Sequence, residues 1–77
     1  MKSKFELYII DKLKQRRQEL GISQQQLAYR MDLSIGFIGK IESPKYSSKW
    51  NLDHLNQLAD VLNCSPKDFL PEYFIKY

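Results

Sequence analysis

A chain of 77 residues has room for one thin hydrophobic core, which excludes a second catalytic lobe. Its 12 basic and 9 acidic side chains leave a net charge of +3, a balance that permits a polyanionic partner without requiring one. A lone cysteine, Cys64, excludes an internal disulfide and points to a reducing, cytoplasmic compartment.

The opening run "MKSKFELYIIDKLKQRRQEL" sets basic residues before an apolar patch, but Glu6, Asp11 and Lys12 interrupt it too early for a secretory signal or a membrane span. Instead, the spacing predicts a helix over about Phe5 to Leu20, with Phe5, Ile9, Leu13 and Leu20 on one stripe and Ile10 beside it. Lys12, Gln15, Arg16 and Glu19 fall elsewhere, and Gly21 is placed to end the helix. Ser23 then offers an N-cap with Gln26 three residues on, opening a second helix whose inward face is Leu27, Ala28 and Met31. "DLS" makes a tight turn, and Ser34 caps a third helix reaching about Glu42. After the polar loop "SPKYSSKW", Asn51 caps a fourth helix carrying Leu52, Leu55, Leu58, Ala59 and Leu62. "SPKD" repeats the start signal for a short fifth helix with Phe69 and Leu70, which Pro71 stops. No segment alternates with period two. The expected fold is all-α, with five helices in one domain over residues 1–77, a core at about 5–70 and an apolar tail at 71–77.

The third helix raises the functional question. Gly36 and Gly39 both lie within it, although a glycine inside a helix costs about 1 kcal/mol relative to alanine. On a helical wheel Ser34, Phe37, Ile38 and Ile41 share one side, with Ile38 and Ile41 toward the core. Ile35, Gly36, Gly39 and Lys40 share the other. The glycines therefore do nothing for core packing; either an exposed helix merely tolerates them, or they let its backbone press against a partner.

"GISQQQLAYRMDLSIGFIGKIE" resembles the helix-turn-helix of the lambda-repressor-like, or Cro-type, DNA-binding domains, the XRE family, through Gly21, Ser23, Gln24, Leu27, Ala28, Ile38 and Glu42, with Arg17 upstream. The similarity extends through "NLDHLNQLADVLNCSPKDFL" and covers about residues 9–70. Two positions depart from the family pattern: Asp32 stands where glycine is common in the turn, and Ser43–Pro44 replaces the usual Asn-Gly after the third helix. The resemblance implies that residues 34–42 form a recognition helix in the major groove of double-stranded DNA. Ser34 and Lys40 would then reach base edges or phosphates, Ile35 would cover a thymine methyl, and Gly36 and Gly39 would allow close approach. Gln24, at a helix start suited to anions, corresponds to a phosphate-contacting position, and Lys45, Tyr46 and Lys49 lie in a loop the family turns toward the backbone. Arg17 and Glu42 correspond to a structural ion pair.

Other charged residues read more simply. Lys12, Lys14, Arg16 and Arg30 are expected on a solvated face, and Phe37 at the edge of the core. His54 and Cys64 are the sole histidine and cysteine, too few for a metal site or a Cys-His nucleophile, and no cofactor is expected. The expectation is a non-enzymatic transcriptional regulator, repressor-like, that binds a pseudo-palindromic operator as a homodimer through the fifth helix and the tail residues Tyr73, Phe74, Ile75 and Tyr77. The competing reading is a protein-interaction module, or antitoxin-like adapter, that keeps the fold without reading DNA.

Overall fold

The computed structural model describes residues 1–76. Four α-helices, α1 (Lys4–Glu19), α2 (Gln24–Met31), α3 (Ile35–Glu42) and α4 (Leu52–Val61), are followed by one 3-10 turn, Pro66–Phe69. The predicted all-α architecture holds, but the fifth helix is corrected to this single turn. The element is only four residues long, the Leu70 amide closes an i to i−3 bond onto Lys67 O, and Pro71 has no N–H to extend the ladder.

Start signals are dense. Ser3, Ser23, Asn51 and Ser65 each form a reciprocal capping box, with Glu6, Gln26, His54 and Asp68 respectively, and Ser34 Oγ accepts from the Phe37 amide. The box at Ser3 starts α1 earlier than its hydrophobic stripe indicated. Three ends share one design, in which a left-handed residue turns the chain so that following amides reach back to the last carbonyls. Gly21 (φ 70) does this after α1, Asp32 (φ 56) after α2 and Asn63 (φ 54) after α4. The amides of Ile22, Leu33 and Cys64 return to the carbonyls of Arg17, Ala28 and Ala59 at 3.0, 2.9 and 2.9 Å. Asp32 thus adopts the conformation for which glycine is the easier residue.

The core joins Ile9 and Leu13 of α1, Leu27, Ala28 and Met31 of α2, Ile38 of α3, Leu58 and Ala59 of α4, and Leu62 and Phe69 beyond. α3 packs on α1 and α2, while the 3-10 turn sits against α1 and α4. Four of the apolar residues that the sequence placed in its helices are exposed: Phe5 (42%) and Leu20 (43%) of the first stripe, Leu52 (83%) and Leu70 (43%). Phe5, Leu52 and Leu70 border a shallow apolar groove of about 280 Å³ with Ile9, Trp50 and Leu55. Apolar spacing does not say whether another element arrives, and among the described residues none covers them.

Candidate nucleic-acid interface

α3 is anchored by Ile38 and Ile41, both fully buried, so its opposite side must face outward. Ile35 is half exposed and Ser34 and Lys40 are exposed. A Cβ built on Gly36 would meet no atom within 4 Å, so the front of the helix is open. Gly39 is half buried, because the Gln24 side chain lies over it; Gln24 Oε1 stands 3.7 Å from where a Cβ would be. Phe37 is half buried, its ring edge-on to His54 at 6.1 Å, in keeping with a place at the margin of the core.

Gln24 is held from behind. Its Nε2 donates to Glu42 Oε1 at 3.0 Å, and that carboxylate accepts from Arg17 through Nε at 2.9 Å and Nη2 at 2.8 Å. Arg17 Nη1 also donates to Ile22 O at 2.6 Å. The two charged side chains are 8% and 5% exposed, so the expected Arg17–Glu42 pair is a buried, bidentate one. Its energetic sign depends on whether desolvation is repaid, but its geometry ties the end of α1, the start of α2 and the end of α3 together. Because Ser23 Oγ accepts from the Gln26 amide, the amides of Gln24 and Gln25 remain the ones without an intrahelical acceptor, directed ahead of α2.

The loop between α3 and α4 divides its charges. Lys45 is exposed, and Lys40 Nζ lies 5.7 Å from the centre of the Tyr46 ring, which brings a residue of α3 and a residue of the loop into one cation-π contact. Lys49 points elsewhere. Its ammonium pairs with Glu6 of α1 at 2.5 Å, so a phosphate would have to compete with that carboxylate.

That pair has a pH signature. The Lys49 hydrogen bond, and then the Ser3 amide, hold the Glu6 carboxyl below its ordinary value of 4.5. A carboxyl depressed on folding adds stability above its unfolded value, and that contribution disappears as pH falls through the folded one. Glu6→Gln is therefore expected to lower the Tm at neutral pH and to converge with the wild type in acid. The half-exposed lysine limits the loss to about 1 kcal/mol. Thermal melts across the acid range check this.

One participant is absent from the motif reading. Lys2, 8% exposed, sends its ammonium to the end of α3, donating to Lys40 O at 3.2 Å, Ile41 O at 2.6 Å and Ser43 O at 2.6 Å. Burial pulls its pKa below the usual lysine value, with the Glu6 charge partly opposing. The hydrophobic stripe did not reveal the Ser3–Glu6 capping box, and nothing local in the sequence says that the preceding lysine reaches residues some forty positions away.

A helix with a bare outward face, buttressed by a preceding helix across a tight turn, defines a helix-turn-helix unit. The family model of the Cro/C1-type HTH DNA-binding domain matches residues 12–71, and the chain belongs to that family. It is thereby a DNA-binding type of domain rather than an enzyme. Searches of curated proteins and of solved structures returned no match. Among the described residues no helix is long and apolar enough to cross a membrane, and no cluster of histidine, cysteine and carboxylate side chains is arranged to hold a metal.

Proposed function

We propose that this chain is a sequence-specific double-stranded DNA-binding regulator, repressor-like and cytoplasmic, that sets residues 34–42 in the major groove. The observation that carries the reading is the open front of α3: a helix start with Ser34 and Ile35 exposed and nothing over Gly36. Ser34 and Ile35 read base edges there, Gly36 and Gly39 permit close approach, and Lys40 lies at the far end. The amides and side chain of Gln24, together with Lys45 and Tyr46, hold phosphates; Lys49 joins them only by leaving Glu6. With few side chains suited to bidentate base contacts, specificity draws on apolar contact, bridging water and DNA shape.

A single unit of this size reads few base pairs, and a two-fold dimer on a pseudo-palindromic operator doubles the site. The 3-10 turn and tail are the proposed interface. Leu70 borders the apolar groove, and Tyr73 (77%) and Phe74 (83%) further along the tail are exposed, so a second copy would bury aromatic surface otherwise left in water. Tyr77, assigned to the same tail, lies outside the described residues.

Selection of bound duplexes from a random pool tests the reading. A recovered site with two-fold symmetry, bound with an affinity that falls steeply as salt rises, is the expected result; weak, salt-insensitive duplex binding would overturn it. In the same assay Lys40→Ala is expected to weaken binding to all duplexes alike and to lower the log-log salt slope by about one, because its ammonium sits beside the loop rather than over the open front.

A further inference from the structure

We propose that Lys2 is a positioning residue for DNA recognition, an ammonium cap that sets the last turn of α3 and the entry to the loop in the attitude in which they meet the duplex. This rests on the DNA-binding reading above.

α1, α2 and α4 each end in a left-handed residue and a returning amide, α4 with Arg16 of α1 donating besides to Leu62 O and Asn63 O at 3.2 Å. α3 has no such left-handed turn. Ser43 is extended (φ −96, ψ 133), and the next residue is Pro44, which has no N–H to send back to the helix. The Ser43 amide reaches Lys40 O at 3.3 Å, but among the described residues no following amide returns to Ile41 O or Ser43 O, at the negative pole of the helix. Lys2 supplies what the local chain cannot. Its three N–H donors meet three carbonyls, two of them at 2.6 Å, in a place where the side chain is almost wholly out of water. A lysine serving only as solvated charge would keep its ammonium in solvent.

The anchorage of Lys2 is itself fixed. Ser3 caps α1, its amide donating to Glu6 Oε1 at 2.8 Å and its Oγ accepting from the Glu6 amide at 3.1 Å. Glu6 also receives Lys49, at the far end of the loop. The first turn of α1 and the residue before its cap therefore hold the loop carrying Lys45 and Tyr46 at both ends, through Lys2 on Ser43 O and through Glu6 on Lys49. Arg17, at the other end of α1, grips the Glu42 side chain. One attachment would let α3 swivel; two, from opposite ends of a rigid helix, set its angle. Residue 2 lies outside the segment that matches the family model.

With all three donors engaged inside the protein, Lys2 has none for a phosphate. Its loss should degrade specific binding and leave the electrostatic part untouched. The test compares the full-length wild type with Lys2→Met, on the duplex recovered by selection and on a scrambled duplex of equal length, over a range of salt and at a temperature where circular dichroism shows both proteins folded. Specific affinity is expected to fall about tenfold, the equivalent of one mismatched base pair, with scrambled-duplex affinity and salt slope unchanged. Lys2→Arg, which keeps the charge and the donors, is expected to recover most of the loss. An unchanged ratio of specific to scrambled binding overturns the inference, as does a slope reduced by about one, the mark of a lost phosphate contact. If Lys2→Met does not fold, Lys2→Gln, with two uncharged donors, replaces it; a smaller loss of the same ratio is expected, and no loss overturns the proposal. Failure of the wild type to bind any selected duplex overturns the DNA-binding reading itself, and this inference with it.

Discussion

Gly36→Glu is expected to abolish specific duplex binding while making the protein more stable. The two effects have separate causes. At position 36 a side chain meets no atom of the protein, so the fold accommodates it without strain. Replacing a helical glycine recovers up to about 1 kcal/mol of propensity, a carboxylate in the first turn complements the helix dipole, and Lys40 stands four residues on to pair with it. A gain of about 1 kcal/mol would raise the Tm by about 4–8 °C in a domain of this size. On the DNA side the same group would put bulk and negative charge against the floor of the groove, where close approach is the point of the glycine. A loss of about 100-fold or more, equivalent to about 3 kcal/mol, is expected in titrations of the selected duplex. Unchanged affinity in a stabilised protein would remove α3 from the interface. Gly39 is a less clean position for this test, because a side chain there meets Gln24 and would lie one turn from Glu42.

Arg17→Met is expected to be the most destabilising single change. It leaves the Glu42 carboxylate, 5% exposed, with Gln24 Nε2 as its remaining hydrogen-bond donor, and strips Ile22 O of its short partner. Breaking one side of a buried pair costs about 3–5 kcal/mol, a large share of the total stability of about 5–15 kcal/mol usual for a domain. The Tm should fall by more than about 10 °C. Adding Glu42→Leu should restore much of that, because two apolar groups of similar size carry no desolvation debt. It should not restore specific DNA binding, since Gln24 has then lost the carboxylate that orients it over Gly39. Thermal melts of the single and double variants, followed by duplex titration of the double variant, separate the two outcomes. If the double variant is as unstable as the single one, the stranded charge is not the cause.

The residues that stood clearly in the sequence were those whose role is local. Ser23 with Gln26, Asn51, Ser65 with Asp68, and Gly21 each carry their instruction within four positions, and the structure places a cap or a turn at every one. The wheel of the third helix likewise assigned Ile38 and Ile41 to the core and Gly36 to the open side, because a period of 3.6 is a property of the helix alone. Phe5, Leu20, Leu52 and Leu70 mark where such reasoning ends. Apolar spacing says which side of a helix is hydrophobic, not whether another element arrives to cover it. The short final element shows the same limit, for a good start signal says nothing about length when a proline follows so soon.

Lys45 and Lys49 look alike in the loop, yet among the described residues the first makes no ion pair and the second is paired with Glu6; the difference lies in how α1 passes the loop, which no local pattern encodes. Lys2 is the extreme case: adjacent in sequence to a cap and adjacent in space to the end of α3. Sequence alone thus determined the four α-helices and the outward face of the third, since hydrogen bonding and side-chain period act over a few residues, but not that the fifth element is a single 3-10 turn. Tertiary structure decided which apolar faces are covered, which cations are spent internally and how α3 is held, because those depend on distances between segments that only the folded chain brings together.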